Sequence, residues 1–534
     1  VNSARSKWLY AAGIGAVVLV LVVDIVTIGR QAPWEDEIFA VSTGWSIARS
    51  QPPILSVLAQ YTQTGSPILF YGPVSFEAEA ALIRVFGLSL IAWRLACFAG
   101  VLLCIFACWE LVKLAGGDEW ARLITALVIA LAGSLAASLP GRWDAVTSGL
   151  FLSGLLVFLR SFVPGRRGLF VRSAVAGVFV GLALASTPRA LTLSVSALIA
   201  MLLTGLCFGS IRKFVFLGSL AMFSTALLVH TVLLRPWGET SISWYSYLKR
   251  ATSGDSINAT LLAGQGAWSL DLQHHKILAI VFLLLLAVST LGAITQRSRA
   301  DDGKMPLKVF LAIFALLNLA LMLLLLANAL AQSAFWLPPA IVAAMCWLHL
   351  ESLRKGGTAM IVTILAGVFL LLFCLEEAEQ TAAVVLTWSR RSSAALTAFV
   401  ERTIPVGAVV YGPIGGYFYP VELSGRQYLY PYERTTPGLY SKIHKSVGDQ
   451  LDTEICSHRT YAMWPKLDLA HNPQEQPMPT ALRERVEAPV AEFDQPALPG
   501  WKDPLLQRLG EIGGKYGFPD VVIYSLKSPH CAED

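Results

Sequence analysis

Residues 8–37 read WLYAAGIGAVVLVLVVDIVTIGRQAPWEDE. Apart from Asp24 and Thr27 the first twenty are apolar, enough for a helix to cross about 30 Å of hydrocarbon. Three adjacent carboxylates, Glu35, Asp36 and Glu37, follow Trp34 where such a helix would surface. Arg5 and Lys7 precede the run and no small-residue cleavage pattern follows it, so it reads as a retained first helix.

Runs of the same kind recur to residue 376 and then stop. They place spans at 8–28, 88–112, 119–138, 145–163, 173–187, 191–207, 214–234, 277–295, 309–330, 336–351 and 358–376. The expectation is an all-α polytopic membrane protein of about eleven transmembrane helices, carrying a small C-terminal α/β domain outside the cytoplasm. Residues 1–376 form the membrane domain and 377–534 the water-facing one. Composition agrees: of 534 residues 55% are hydrophobic and only 14% charged, against about 25% in ordinary soluble domains, and the mean hydropathy is +0.59.

Sixteen Lys and Arg residues fall in the short connections on the side of the N-terminus, and about ten in the longer connections opposite. By the positive-inside rule the N-terminus is cytoplasmic and the C-terminal domain periplasmic or extracellular. The net charge of +5 therefore reflects topology rather than nucleic-acid binding. Walker A, GxGxxG, HExxH and GxSxG patterns are absent, which weighs against ATP-driven transport and the common hydrolases. Six cysteines lie in apolar runs without metal-ligand spacing, while Cys456 and Cys531 lie in the C-terminal region and can pair if it faces an oxidising compartment.

The outer side holds the chemistry-bearing residues. Two connections there are long, 30–87 and 235–276, and stretches 36–49 and 74–86 of the first show amphipathic helical spacing. Glu35, Asp36 and Glu37 suit a general base or metal ligand, and equally the acidic first turn of a solvated helix. Gly141-Arg142-Trp143-Asp144 fills a very short outer turn, where an ion pair at the membrane edge is costly unless it faces protein or water. Arg94 and Arg189 stand at outer ends of spans, where a guanidinium can grip a phosphate bidentately or snorkel to headgroups. His274 and His275 are candidates for sharing a divalent cation. In the C-terminal region the pattern predicts a helix over 382–401, a strand within 404–412 and another over 521–526, with an irregular Pro-rich stretch between.

In order along the chain these features resemble the GT-C superfamily of polytopic glycosyltransferases. The nearest branch is that of the bacterial lipid A aminoarabinose and galacturonic acid transferases and the protein O-mannosyltransferases, of glycosyltransferase family 39 type. The carrying residues are Trp34 to Glu37, Ser66 to Pro73 with Phe86-Gly87 and Arg94-Leu95, Arg142 with Asp144, Gly181 to Arg189, and Phe335 to Pro339. Two features depart from the pattern: Gly65-Ser66-Pro67 stands where the family has His-Pro-Pro, and no basic residue precedes the late aromatic.

The resemblance implies an inverting transfer of a hexosyl or pentosyl group from a polyprenyl-phosphate sugar to a membrane lipid, glycan or protein acceptor, at the outer face of the cytoplasmic membrane. It implies Asp36 as base, Glu37 or Glu35 as near alternatives and Asp144 as partner. Arg94, Arg142, Arg189 and Tyr71 would hold the donor phosphate. A transporter or lipid flippase, or a non-catalytic envelope assembly protein, are the competing readings, but such transporters carry repeats and midplane charges that this sequence does not display.

Overall fold

The computed structural model describes residues 2–30, 35–53, 56–58, 71–135, 141–162, 168–235, 304–325, 333–348, 382–413, 417–430, 447–466, 478–497, 503–515 and 520–527, with isolated positions at 32–33, 364, 368, 375, 379 and 517–518. Its N-terminal helices are α1 (Asn2–Thr27), α2 (Glu35–Ala48), α3 (Pro73–Phe86), α4 (Leu90–Leu114), α5 (Glu119–Leu135), α6 (Asp144–Leu159), α7 (Leu169–Ser186), α8 (Ala190–Cys207), α9 (Arg212–Leu234), α10 (Met305–Leu325) and α11 (Ser333–Leu348). Among the described residues six helical segments, within α1, α4 and α7–α10, are long and apolar enough to cross a membrane, and α6 and α11 contain shorter apolar segments. The expected span 277–295 lies outside the described residues, and 358–376 almost wholly so.

Local signals set the ends. Ser89 accepts a hydrogen bond from the Ala92 N–H at 3.3 Å and caps α4, and Asp118 accepts from Ala121 N–H at 2.8 Å ahead of α5, as short polar side chains do at helix starts. Close packing follows from small residues. On α7, Gly177 and Gly181 lie one turn apart, and a Cβ on Gly181 would stand 2.8 Å from the Ala226 carbonyl oxygen of α9. In lipid, where apolar side chains gain nothing by leaving the solvent, such close approach supplies the packing energy.

The long connection between α1 and α4 contains α2 and α3, close to the amphipathic stretches 36–49 and 74–86. The C-terminal region forms α12 (Ser393–Thr403), β1 (Val409–Tyr411), α13 (Phe418–Leu423), β2 (Gln427–Leu429), α14 (Val447–Ser457), β3 (Thr460–Pro465), β4 (Val486–Phe493), α15 (Pro504–Lys515) and β5 (Val521–Leu526). The sheet has the order β2-β1-β3-β5-β4. β1 runs parallel to both neighbours, with Tyr411 opposite Leu429 and Ala462, and β5 is antiparallel to β3 and β4.

Three expectations are corrected. The helix over 382–401 is interrupted by a 3₁₀ turn at Trp388–Arg391 before α12. The strand within 404–412 is shorter than its apolar run. The Pro-rich stretch, left irregular in the sequence reading, contains β4: an edge strand tolerates Pro489 because its outer side needs no ladder donor, and the register shifts around that residue. Cys456 is disulfide-bonded, while Cys531 lies outside the described residues.

The sheet region rests on α2, α3 and α4. Tyr419, Phe418 and Tyr428 share one apolar core with Ile38, Val41, Phe76, Trp93 and Trp143. The Trp45 indole N–H donates to Glu422 at 3.3 Å, Tyr430 N–H to the Val57 carbonyl at 3.1 Å, and the Arg30 guanidinium lies 4.2 Å over the Trp388 ring. α2 is thereby held from both sides.

Candidate functional site

The site grows from the first turn of α2, the C-terminal ends of α1 and α7, and the N-terminal ends of α4, α6 and α8. Arg94, one turn into α4, is fully buried. Its Nε donates to Glu37 Oε1 at 2.9 Å, its second terminal nitrogen to Glu37 Oε2 at 2.8 Å, and the first to the Ile28 carbonyl at 2.8 Å. One side chain thus ties the end of α1 to α2 and α4. A two-pronged pair of this kind is among the stronger hydrogen-bonded arrangements. It also commits both residues to one another, where the sequence reading gave Glu37 to proton transfer and Arg94 to the donor phosphate.

Gly141 lies against the same pair. A Cβ there would strike the Glu37 carboxylate, so the turn before α6 approaches as closely as it does only with glycine. The Trp93 indole donates to the Gly141 carbonyl at 2.8 Å, and its ring stacks on Trp143 with centroids 4.9 Å apart. These contacts set Glu37 beside the next group.

That group is Asp144 with two guanidiniums. Arg142 reaches Oδ2 at 2.8 Å and Arg189 reaches Oδ1 at 3.5 Å, all three side chains being largely buried. Arg189 stands at the start of α8 and Asp144 is the first residue of α6. Two cations therefore face one anion between two helix N-termini, whose free N–H groups also favour negative charge.

Tyr71, fully buried, joins this end of the molecule: the adjacent Gly72 N–H donates to the Ser186 carbonyl at 2.7 Å, next to Thr187, Pro188 and Arg189. The structure thus brings together Glu37, Arg94, Arg142, Asp144, Arg189 and the Tyr71 segment. The side chains of Glu35 and Asp36, and residues Trp34, 66–70, His274 and His275, lie outside the described residues, although the Glu35 and Asp36 backbone forms the first turn of α2. Among the described residues no group of three or more His, Cys, Asp or Glu could hold a metal ion.

Two residues escaped the sequence reading. Glu79 of α3 is 1% exposed, and burial, then the charge of Glu37, hold its carboxyl well above the ordinary range. Tyr419 of α13 is buried beside the same charges, and burial, Glu37 and Glu79 push its phenol up. A usable signal existed for Glu79 alone: an acid on the stripe Ser75, Phe76, Glu79, Ala80, Ile83 sits at the spacing of a buried helix face.

No protein-family model matches the chain, and no protein of curated function matches it in sequence. Solved structures do match in shape. ArnT from Cupriavidus metallidurans bound to undecaprenyl phosphate superposes with a TM-score of 0.55 at 12% identity, covering 99% of this chain and 100% of that one. The Archaeoglobus fulgidus oligosaccharyltransferase tethered with an acceptor peptide gives 0.48 at 14% identity, over 85% and 69% of the two chains. The arabinofuranosyltransferase AftD from Mycobacteria gives 0.42 at 12%, over 98% and 41%. At such identities a likeness speaks for the fold alone: this chain is a multi-pass membrane protein with the fold of that ArnT structure.

Proposed function

We propose that the protein is an inverting glycosyltransferase that moves a sugar from a polyprenyl-phosphate donor to a lipid, polysaccharide or protein hydroxyl at the outer face of the cytoplasmic membrane. The observation that carries this reading is the convergence of Arg142 and Arg189, two largely buried guanidiniums, on Asp144. Paired guanidiniums between helix N-termini suit a phosphate. The ArnT structure with the matching fold holds undecaprenyl phosphate, a ligand of this chemistry.

In the reaction a carboxylate accepts the acceptor's hydroxyl proton as its oxygen attacks the anomeric carbon. The bond from that carbon to the phosphate oxygen breaks, and the leaving phosphate gains one negative charge. Asp36 is the proposed base, adjacent to Glu37 on the turn that Arg94 fixes, with Glu35 the alternative. Arg142 and Arg189 stabilise the departing phosphate, Asp144 orients them, and Tyr71 lines the approach. A positioned base contributes about 10²- to 10⁴-fold, and prearranged charge in a dry site adds to it. Arg94 is assigned to holding α2. A divalent cation, if used, would draw on His274 and His275.

The same reading has the chain crossing the membrane eleven times with a cytoplasmic N-terminus, residues 1–376 forming the membrane domain and 377–534 the outer domain. The test uses purified protein in nanodiscs and a panel of polyprenyl-phosphate sugars, reading Tm, which a ligand of the folded state must raise. One donor should stabilise the wild type and fail with Arg189→Gln. A panel in which no donor shifts Tm, together with full transfer by an Asp36→Asn/Asp144→Asn variant, would remove the reading.

A further inference from the structure

Glu79 lies where α2, α3, α4 and the C-terminal region meet. Its Oε2 is buried and has no hydrogen-bond partner among the described residues. Gly44 of α2 faces it so closely that a Cβ there would stand 2.7 Å from the Glu79 Cβ. Glu37 of α2 bears on its charge, and Glu79 in turn bears on Cys97 of α4 and Tyr419 of α13, as Arg94 does; among the described residues the buried Tyr419 hydroxyl has no hydrogen-bond partner. Asp144 of α6 belongs to the same field through Cys97. Two carboxyls thus share one enclosure, and among the described residues the Arg94 guanidinium is held by Glu37 on two nitrogens and by the Ile28 carbonyl on the third.

We propose that Glu79 is a positioning residue that works uncharged: as a neutral acid it fills the junction of α2, α3 and α4, leaves Arg94 to Glu37, and so fixes the acidic first turn of α2. A buried carboxyl without a cation of its own is far cheaper protonated than ionised. Were it ionised, it would compete with Glu37 for Arg94 and loosen the turn. The purpose of that turn depends on the glycosyl-transfer reading; the charge state of Glu79 does not. A corollary follows: when Glu37 is neutralised, Glu79 ionises and takes its place against Arg94.

The sign of the pH effect is fixed by the raised folded-state value. Stability from this group is fully present below the unfolded carboxyl value of about 4.5 and declines as pH rises toward the folded one. The experiment measures Tm from pH 5 to 9 on the full chain in nanodiscs for wild type, Glu79→Gln, Glu37→Gln and the double variant, with hydrogen exchange of residues 37–48. Glu79→Gln should match or exceed the wild-type Tm at pH 8, flatten the alkaline decline, and keep α2 protected where the wild type loses protection. The double variant should lose more Tm than the two singles combined, because only it removes both carboxyls from the enclosure. A Glu79→Gln protein that fails to fold, or that is less stable than wild type with an unchanged pH slope, overturns the proposal, as does strict additivity of the two substitutions. Failure of the donor panel would leave these Tm profiles untouched, so the two readings fail separately.

Discussion

Glu37 and Arg94 meet across 57 residues of sequence in a two-pronged ion pair, 2.9 and 2.8 Å, with both side chains fully buried. Their meeting decides where the outer acidic turn sits relative to the spans. It also removes one cation from the set available to a phosphate.

Breaking that pair from the Arg94 side should be costly. Arg94→Met leaves Glu37 buried without its cation, and removing one partner of a buried pair costs about 3–5 kcal/mol. Tm of the purified protein should fall by several degrees. The double variant Glu37→Gln/Arg94→Met should recover a substantial part of the loss, since neutralising both partners leaves no orphan charge.

Gly141→Ala should disturb the same pair without touching any charge. Its added methyl group strikes the Glu37 carboxylate, and overpacking of this kind costs about 1–3 kcal/mol. Measured by chemical or thermal unfolding, a loss smaller than about 0.5 kcal/mol would mean the turn relaxes freely and does not hold Glu37 in place.

At the paired guanidiniums the effect should be on ligand, not fold. Arg142→Gln or Arg189→Gln removes one charge-assisted contact worth about 1.5–3 kcal/mol, so the Kd for a polyprenyl phosphate should rise about 10- to 100-fold. Arg189→Lys should restore only part of it, because an ammonium cannot reproduce the planar fork. Equal affinities in wild type and both Gln variants would place the phosphate elsewhere.

Glu422 joins α13 to α2 by accepting from Trp45 and from the Tyr428 N–H at 2.9 Å. Burial raises its carboxyl above the ordinary value, against the lowering effect of those two bonds and of Arg49. Its stabilising share is therefore complete below about pH 4.5 and is lost as pH climbs through the folded value. Glu422→Gln should flatten that part of the Tm profile. Trp45→Phe, which deletes one donor, should cost about 0.5–1.5 kcal/mol at any pH.

Packing within the membrane offers a control distant from the site. Gly181→Val would force α7 away from the Ala226 carbonyl and Val229 of α9, lowering Tm by an amount typical of overpacked cores, about 1–3 kcal/mol. Donor binding, measured at a temperature where the variant is folded, should change little.

Much of the scaffold was written in the order of residues. A run of about twenty apolar residues has one stable fate in hydrocarbon, because only a helix satisfies its own backbone there. Helical periodicity likewise disclosed α2 and α3 in the outer connection, and Gly141 to Asp144 and Arg189 stood out as polar residues at span ends. In the C-terminal region the apolar run 521–526 announced β5. β4 went unread because Pro489 and its exposed neighbours mimic a loop, and only an edge position beside β5 makes them a strand.

Charge partnership was not written there. Arg94, Arg142 and Arg189 look equivalent in a sequence, each a lone cation at an outer helix end. The fold sends the first to Glu37 and the other two to Asp144, because α4 packs against the first turn of α2 while α6 and α8 bring their N-termini together. Glu79 reads as an ordinary acid of an amphipathic helix until α2, α4 and α13 close over it. The sequence alone determined that this chain lives in a membrane with its polar chemistry at one face, since hydropathy acts residue by residue. Which acid is paired, which cations converge on one carboxylate and which carboxyl is buried were decided by tertiary structure, because electrostatic energy depends on distance and burial between elements far apart in the chain.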